Sequence, residues 1–200
     1  MIDISVLQVI YRFRLAQAVP LEGGATYEQI AATTGLTEHR VSSILRQAAM
    51  NKIFYEDHPN HVVHTAISAI LVRDPVMRDW VGHFTEEGYP TNAKWSKAMQ
   101  KYPKSQELNE APFAVAFDYK EPGGFFQYLA EREEPQKRFF GAMKGVGMAP
   151  GVDYGHLANG YDWKNLGKAA VVDVRFPGLY QAQSRTDLLV AVAGRLRWPC

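Results

Sequence analysis

The chain has 200 residues, of which 46% are hydrophobic and 22% charged, and its 22 basic and 21 acidic residues nearly cancel. This length can bury a core of one or two small domains, and the balanced charge favours neither nucleic acid nor a membrane surface. Cys200 is the only cysteine, which excludes an internal disulfide and a multi-cysteine metal site. No apolar run approaches the roughly 20 residues of a membrane span, and the acidic N-terminus is unlike a signal peptide. We therefore expect a cytoplasmic protein without a membrane partner.

The first third of the chain has the pattern of a winged helix. Thr26 and Thr37 are suited to cap two short helices separated by a glycine turn. Two strands at 53–55 and 61–65, joined by turn residues, follow these helices. Two short helices followed by a hairpin predict a winged helix, which we assign to residues 1–68.

This region has too few positive charges for DNA binding. Residues 1–66 contain five basic and six acidic side chains, a net charge of −1. Affinity for DNA comes largely from neutralisation of phosphates by Lys and Arg, so we expect no nucleic-acid partner. The broad apolar face of residues 4–16 predicts an N-terminal helix that packs on another helix or on a second subunit. Dimerisation is therefore the expected role of the winged helix.

Residues 69–168 have the pattern of a region that is almost entirely helical. Proline and glycine punctuate this region and set the starts and ends of its segments. The predicted helical segments are 74–88, 93–102, 112–119, 125–132 and one that opens near 134.

Residues 169–174 read as a short apolar strand that includes Asp173, the usual approach to a nucleotide-type binding loop. A glycine-rich turn should follow, because backbone N–H groups must approach the cofactor closely. The chain has Arg175-Phe176-Pro177-Gly178 there instead. We therefore expect no complete Rossmann-like domain and no cofactor, and we assign 169–200 to the start of a cofactor domain and a divergent tail.

From the end of the winged-helix region onwards the chain carries an ordered series of short motifs: His64-Thr65-Ala66-Ile67-Ser68, Glu86-Glu87-Gly88, Tyr102-Pro103-Lys104-Ser105, Asn109-Glu110-Ala111-Pro112-Phe113, Arg138-Phe139-Phe140-Gly141-Ala142-Met143 and Gly160-Tyr161-Asp162-Trp163. With this series, residues 4–174 resemble the plant- and fungal-type S-adenosylmethionine-dependent O-methyltransferases, especially those of fungal natural-product clusters. The resemblance implies a mainly α-helical chain consisting of the winged-helix dimerisation domain and the helical substrate lid. In the family a Gly-x-Gly loop would follow Asp173-Val174, and a deletion or a frameshift accounts equally well for its absence here.

The resemblance also implies that the helical region lines a pocket for a small hydrophobic molecule. Our candidate substrate-binding residues are large apolar side chains of this region, and ordinary packing between helices is the alternative reading for them. They are Phe113, Phe117, Phe139, Met143 and Met148.

His83 is the candidate catalytic residue. It lies on a predicted helix among apolar residues, where an imidazole can donate a proton or a hydrogen bond to a substrate. A surface histidine is the alternative reading. Weaker candidates of the same kind are Asp118, Tyr119, Tyr154 and His156.

The hairpin histidines His58, His61 and His64 give no metal-site prediction. His61 and His64 are three positions apart, a spacing that does not place both side chains on one face of a strand. We therefore do not expect them to share a metal ion. We expect no metal site in this chain.

Two hypotheses of function follow. The first is a dimeric, cofactor-independent tailoring enzyme, an isomerase, cyclase or pericyclase, that acts on a hydrophobic natural-product intermediate and has no methyltransferase activity; intertwined chains would build its cavity. The second is a non-catalytic dimerisation partner or regulator of a full-length methyltransferase. The missing glycine turn favours the second, and the well-formed set of apolar helices favours the first.

Overall fold

The computed structural model describes residues 2–148, 156, 159–162 and 165. These residues form a mainly helical fold with one small sheet, which confirms the predicted fold class. The strand and tail predicted within 169–200, the candidate Tyr154 and the side chain of Met148 lie outside the described residues. None of the described helices combines the length and the apolarity needed to cross a membrane.

The predicted elements occur in the expected order, and the structure adds a strand at Ala25–Thr26, helices at Ala66–Arg73 and Tyr89–Asn92, and two short irregular turns. A π-helical turn covers Phe84–Gly88, and a 3-10 turn covers Leu108–Glu110. The helices are α1 (Ile2–Arg12), α2 (Leu15–Ala18), α3 (Tyr27–Thr34), α4 (Glu38–Met50), α5 (Ala66–Arg73), α6 (Pro75–His83), α7 (Tyr89–Asn92), α8 (Trp95–Lys101), α9 (Pro112–Phe117), α10 (Gly124–Ala130) and α11 (Glu133–Met148), and the strands are β1 (Ala25–Thr26), β2 (Phe54–His58) and β3 (His61–His64).

The predicted caps of α3 and α4 are confirmed. The Thr26 side chain accepts a hydrogen bond from the N–H of Gln29, and Oε1 of Gln29 accepts one from the N–H of Thr26. Gly35 ends α3 in the left-handed conformation, with φ of 72°. Thr37 caps α4 by accepting from the N–H of Arg40. Such caps satisfy backbone donors that have no partner within the helix.

The single N-terminal helix predicted over 4–16 is wrong. α1 ends at Arg12, and Arg14 adopts a left-handed conformation with φ of 53° before α2 begins. The break turns Leu15 into the interior, where it is fully buried together with Ile10 of α1. Burial of Leu15 offsets the backbone strain of a non-glycine residue at positive φ.

The sheet is antiparallel, in the order β1-β3-β2. β2 was predicted to end at residue 55 but continues to His58. Its register against β3 shifts between Glu56 and His58, so Asp57 is an extra residue without a partner in the ladder. This bulge changes where the Asp57 side chain lies.

One hydrophobic core lies between α1 to α4, the sheet and α5. Its largest fully buried side chains come from both helices and strands, so α3 and α4 pack in one core with the β2–β3 hairpin. They include Tyr27, Phe54, Ile10, Leu15, Ile30, Leu45, Val19, Val41 and Val62.

The chain divides into two compact units, Met1–Val146 and Gly147–Cys200. The first unit holds the sheet together with α1 to α10 and most of α11. The domain boundaries predicted after 68 and 168 remain a prediction.

Gly82 allows α6 to approach its neighbours closely. A Cβ at this position would lie 2.7 Å from Cδ of Arg138 on α11 and closer still to the ring of Tyr11 on α1. Gly82 is buried, so the added methyl group has no open space to occupy. The glycine therefore sets the spacing of three helices.

We predict that Gly82→Ala lowers the free energy of unfolding by about 1–3 kcal/mol, because the methyl group forces Tyr11 or Arg138 from its position. Urea unfolding followed by circular dichroism measures the change. Gly88→Ala is the matched control, since its Cβ would come no closer than 3.8 Å to any neighbour. Equal stability of Gly82→Ala and the parent protein would contradict the prediction.

Candidate functional site

A single π-helical turn follows α6, where the sequence predicted an unbroken helix over 74–88. The N–H of Tyr89 donates to the carbonyl of Phe84, five residues earlier. The displaced carbonyl of Thr85 accepts from Nε2 of Gln8 on α1 at 3.1 Å. Such turns are frequent at functional sites, and here the turn brings Thr85 and Glu87 into the interior.

Glu87 is a buried carboxylate paired with a nearly buried arginine. Its side chain is 4% exposed and that of Arg138 is 14% exposed. Nε of Arg138 donates to Oε2 of Glu87 at 3.2 Å, and Nη2 of Arg138 donates to Oε1. Nη1 of Arg138 also lies 3.4 Å from the hydroxyl of Tyr11, to which it donates. A buried carboxylate is tolerated only with such compensation, so α1, the π-helical turn and α11 are linked through one pair of charges.

The charge of Arg138 is maintained by this arrangement. Burial by itself lowers the pKa of the guanidinium, because it removes the charged form from water. Hydrogen bonds to Glu87 and Tyr11 outweigh burial, so the pKa of Arg138 lies above its ordinary value. Arg138 is thus charged at any physiological pH.

His83 lies next to this ion pair. Its Nδ1 is 3.0 Å from Oε2 of Glu87, four residues later. A neutral imidazole in this geometry donates from Nδ1 to the carboxylate, which leaves Nε2 as an acceptor. Within the residues that the structure describes, Nε2 of His83 makes no hydrogen bond.

The other side of His83 faces aromatic rings. Its ring centroid lies 5.2 Å from that of Phe139, edge to face, and 6.0 Å from that of Phe125. The imidazole therefore lies between a charged pair and an apolar cluster, where electrostatic interactions are stronger than in water.

Three of the predicted substrate-binding residues belong to this cluster. Phe113 stacks on Phe117 at 4.6 Å and meets Phe125 edge to face at 5.0 Å, and Phe125 in turn contacts Phe139. Phe113 and Phe139 are buried, whereas Phe126 is 44% exposed at the margin of the cluster. The rings form a packed layer beside His83.

The remaining candidates lie elsewhere. Met143 is half-buried on α11, one turn beyond Phe139, and Met148 is the last residue of that helix. Asp118 is exposed and pairs with Lys120, Tyr119 is buried, and His156 is exposed. Their roles remain predictions.

Glu87, Arg138 and Tyr11 form an array of hydrogen-bonded side chains. A cavity of about 220 Å³ lies on the α1 side of this array. Tyr11 borders it and also contacts Arg138, whose guanidinium lies 5.8 Å from the centre of the tyrosine ring. The cavity is partly polar, and its lining residues are Ile10, Tyr11, Arg14, Ala16, Gln17, Leu71 and Arg78.

Sequence reasoning missed Glu87, Arg138 and Tyr11 as site residues. The signals for two of them were present, because Glu87 follows His83 at helical i,i+4 spacing and Arg138 opens the segment Arg138-Phe139-Phe140. Nothing local marks Tyr11, since its contact with Arg138 spans 127 positions of sequence.

The described residues do not fit S-adenosylmethionine. Among residues 2–148 the strands are the antiparallel set β1-β3-β2, and none runs into a glycine-rich loop and helix that would hold this cofactor. No chemical step is derived through it.

Similar proteins are fungal. The O-methyltransferase aoiF of Aspergillus oryzae is 34% identical over 170 residues, a match that covers 85% of this chain and 40% of aoiF. The O-methyltransferase aurJ of Gibberella zeae is 34% identical over 172 residues, or 86% of this chain and 39% of aurJ. The chain is thus similar over most of its length to part of fungal O-methyltransferases. No family model matches it. The chain spans about two fifths of the length of these relatives.

Solved structures show the same fold. The crystal structure of OxaC with SAH and oxaline has a TM-score of 0.67 at 16% identity, covering 82% of this chain and 40% of OxaC. A structure described as a pericyclic reaction enzyme has a TM-score of 0.58 at 15% identity, covering 70% of this chain and 36% of that one. The matched part is the N-terminal dimerisation and lid region of O-methyltransferase-like structures.

We predict that Arg138→Met lowers the free energy of unfolding by about 3–5 kcal/mol, because it leaves the Glu87 carboxylate buried without its cation. Lys137→Met is the matched control, since Lys137 lies on the same helix and pairs with Glu133, and these two side chains are 65% and 75% exposed. Loss of that exposed pair should leave the free energy of unfolding nearly unchanged. Chemical unfolding compares the two variants, and similar losses would refute a special role for the Glu87–Arg138 pair.

Proposed function

We propose that this chain is part of a tailoring enzyme that isomerises or cyclises a small hydrophobic natural-product intermediate without a methyl donor. The observation that carries the proposal is the environment of His83. Its Nδ1 is held by Glu87, its Nε2 is unbonded among the described residues, and its ring lies against Phe125 and Phe139. An oriented base at the edge of an apolar cluster suits chemistry on a hydrophobic substrate.

The proposed step is a proton transfer within the substrate. Neutral His83 takes a proton at Nε2 from one atom of the substrate and returns it at another, so atoms and charge balance without a second reactant. Glu87 stabilises the intermediate imidazolium, and the hydrogen bonds from Arg138 hold the Glu87 carboxylate in place. Phe113 and Phe139 would exclude water from the reacting atoms.

Two further observations support a reaction without a methyl donor. The sequence after Asp173 has Arg175-Phe176-Pro177 where the family has its glycine-rich cofactor loop. A solved structure with the same fold is described as a pericyclic reaction enzyme.

We predict that a His83→Ala allele in the producing organism gives the same metabolite profile as deletion of the gene. The compound that accumulates should have the same mass as the product that disappears, because isomerisation conserves composition. Liquid chromatography with mass spectrometry measures both. His39→Ala is the matched control, since His39 is exposed on α4, away from the array.

Other outcomes separate the alternatives. A missing product heavier than its precursor by one CH₂ would indicate methyl transfer and overturn the proposal. A normal profile for His83→Ala beside an altered profile for the deletion would favour the non-catalytic partner of a full-length methyltransferase.

We also propose that the chain forms a homodimer. Large apolar side chains are exposed on α5 and α6, among them Ile67, Ile70, Met77 and Trp80, and pairing would remove them from water. Nucleic acid is not the proposed partner, because Arg46 of α4 is neutralised by Glu56.

We predict that native mass spectrometry of the parent protein gives a dimer that retains an apolar small molecule, and that Trp80→Glu gives a monomer. Trp95→Glu, which alters an exposed tryptophan on α8, should leave the dimer intact. A ligand-free monomer for the parent protein would overturn both the dimer and the apolar ligand.

A further inference from the structure

The tip of the β2–β3 hairpin brings one carboxylate and two imidazoles together. Oδ1 of Asp57 lies 2.6 Å from Nδ1 of His61 and 3.0 Å from Nδ1 of His58. The ligand atoms that the three residues offer all lie within 4.8 Å of one another. The third hairpin histidine, His64, is turned away and contacts Ser68 and the carbonyl of Val19.

The backbone explains this convergence. Asp57 is the extra residue of the bulge, and Asn60 adopts a left-handed conformation with φ of 64° that reverses the chain. His58 therefore lies opposite His61 in the register, and their rings stack at 4.2 Å. Bulges and turns of this kind re-aim side chains.

His61 is held in place from both sides. Its backbone pairs with Thr26 of β1, and the absence of a side chain at Gly24 leaves room for its ring, because a Cβ there would lie 2.8 Å from Cε1 of His61. The His61 side chain is only 15% exposed, whereas that of His58 is 61% exposed. The His61 side chain is thus fixed in position, whereas the His58 side chain can adjust.

We propose that Asp57, His58 and His61 form a Zn²⁺ site with its fourth position open to water. In tetrahedral zinc sites the bonds to N and O are about 2.0–2.1 Å, which places neighbouring ligand atoms about 3.3 Å apart. The two N–O spacings here are 3.0 Å and 2.6 Å, so zinc uptake requires the Asp57–His58 pair to open by about 0.3 Å and the Asp57–His61 pair by about 0.7 Å. Two imidazoles and a carboxylate suit zinc better than Ca²⁺ or Mg²⁺, which prefer oxygen alone.

The surrounding charges permit a cation. Arg46 of α4 contacts the same hairpin. Its guanidinium donates hydrogen bonds to Glu56 and to Oδ1 of Asn60. The ion would take the place of the hydrogen bonds that now join Asp57 to the two histidines.

The test uses the full chain without a polyhistidine tag, in a Cys200→Ser background that removes the competing thiol. Calorimetric titration with Zn²⁺ should give one ion per chain, and Co²⁺ should give the visible absorption of a tetrahedral site. His58→Ala and His61→Gln should each weaken Zn²⁺ binding about tenfold or more, while His39→Ala should bind like the parent.

Thermal unfolding provides a second readout. Zn²⁺ should raise the melting temperature of the parent and of His39→Ala but not that of His58→Ala, which removes an exposed side chain and so should leave the fold intact. Equal Zn²⁺ affinity of His58→Ala, His61→Gln and the parent, or no saturable uptake at millimolar Zn²⁺, would overturn the proposal and leave Asp57 as a simple hydrogen-bond acceptor.

Discussion

Burial of the Glu87 carboxylate constrains the rest of the described structure. A carboxylate removed from water requires a cation and hydrogen-bond donors, and these come from distant parts of the chain. Arg138 supplies both from α11, Tyr11 anchors Arg138 from α1, and Gly82 leaves the space in which they meet. The relative positions of α1, α6 and α11 therefore follow from one charge that has to be neutralised.

His83 lies at the boundary between this polar array and the aromatic cluster. On one side Glu87 fixes the orientation of the imidazole, and on the other side Phe139 and Phe125 exclude water. A low dielectric strengthens the first interaction and makes any unpaired polar group costly. The same packing that stabilises the fold thus leaves Nε2 of His83 without a hydrogen-bond partner in the part of the chain that the structure describes.

The two candidate sites share a structural device. At the end of α6 a π-helical turn places Glu87 beside His83, and in the hairpin a β-bulge places Asp57 beside His61. In each case one irregular residue in an otherwise regular element changes the direction of a carboxylate. Such irregularities cost backbone hydrogen bonds, and here a side chain such as Gln8 restores part of the loss.

The sequence by itself determined the local elements and the similarity to fungal O-methyltransferases. Caps at Thr26 and Thr37 and the order of helices and strands follow from short-range rules, because each depends on residues within one or two turns. The break at Arg14, the π-helical turn and the bulge were decided only by tertiary structure, since each is stabilised by contacts with remote segments. The array of Glu87, Arg138 and Tyr11 belongs to this second group. A hydrogen bond across 127 positions has no signature in local spacing and exists only when the helices pack.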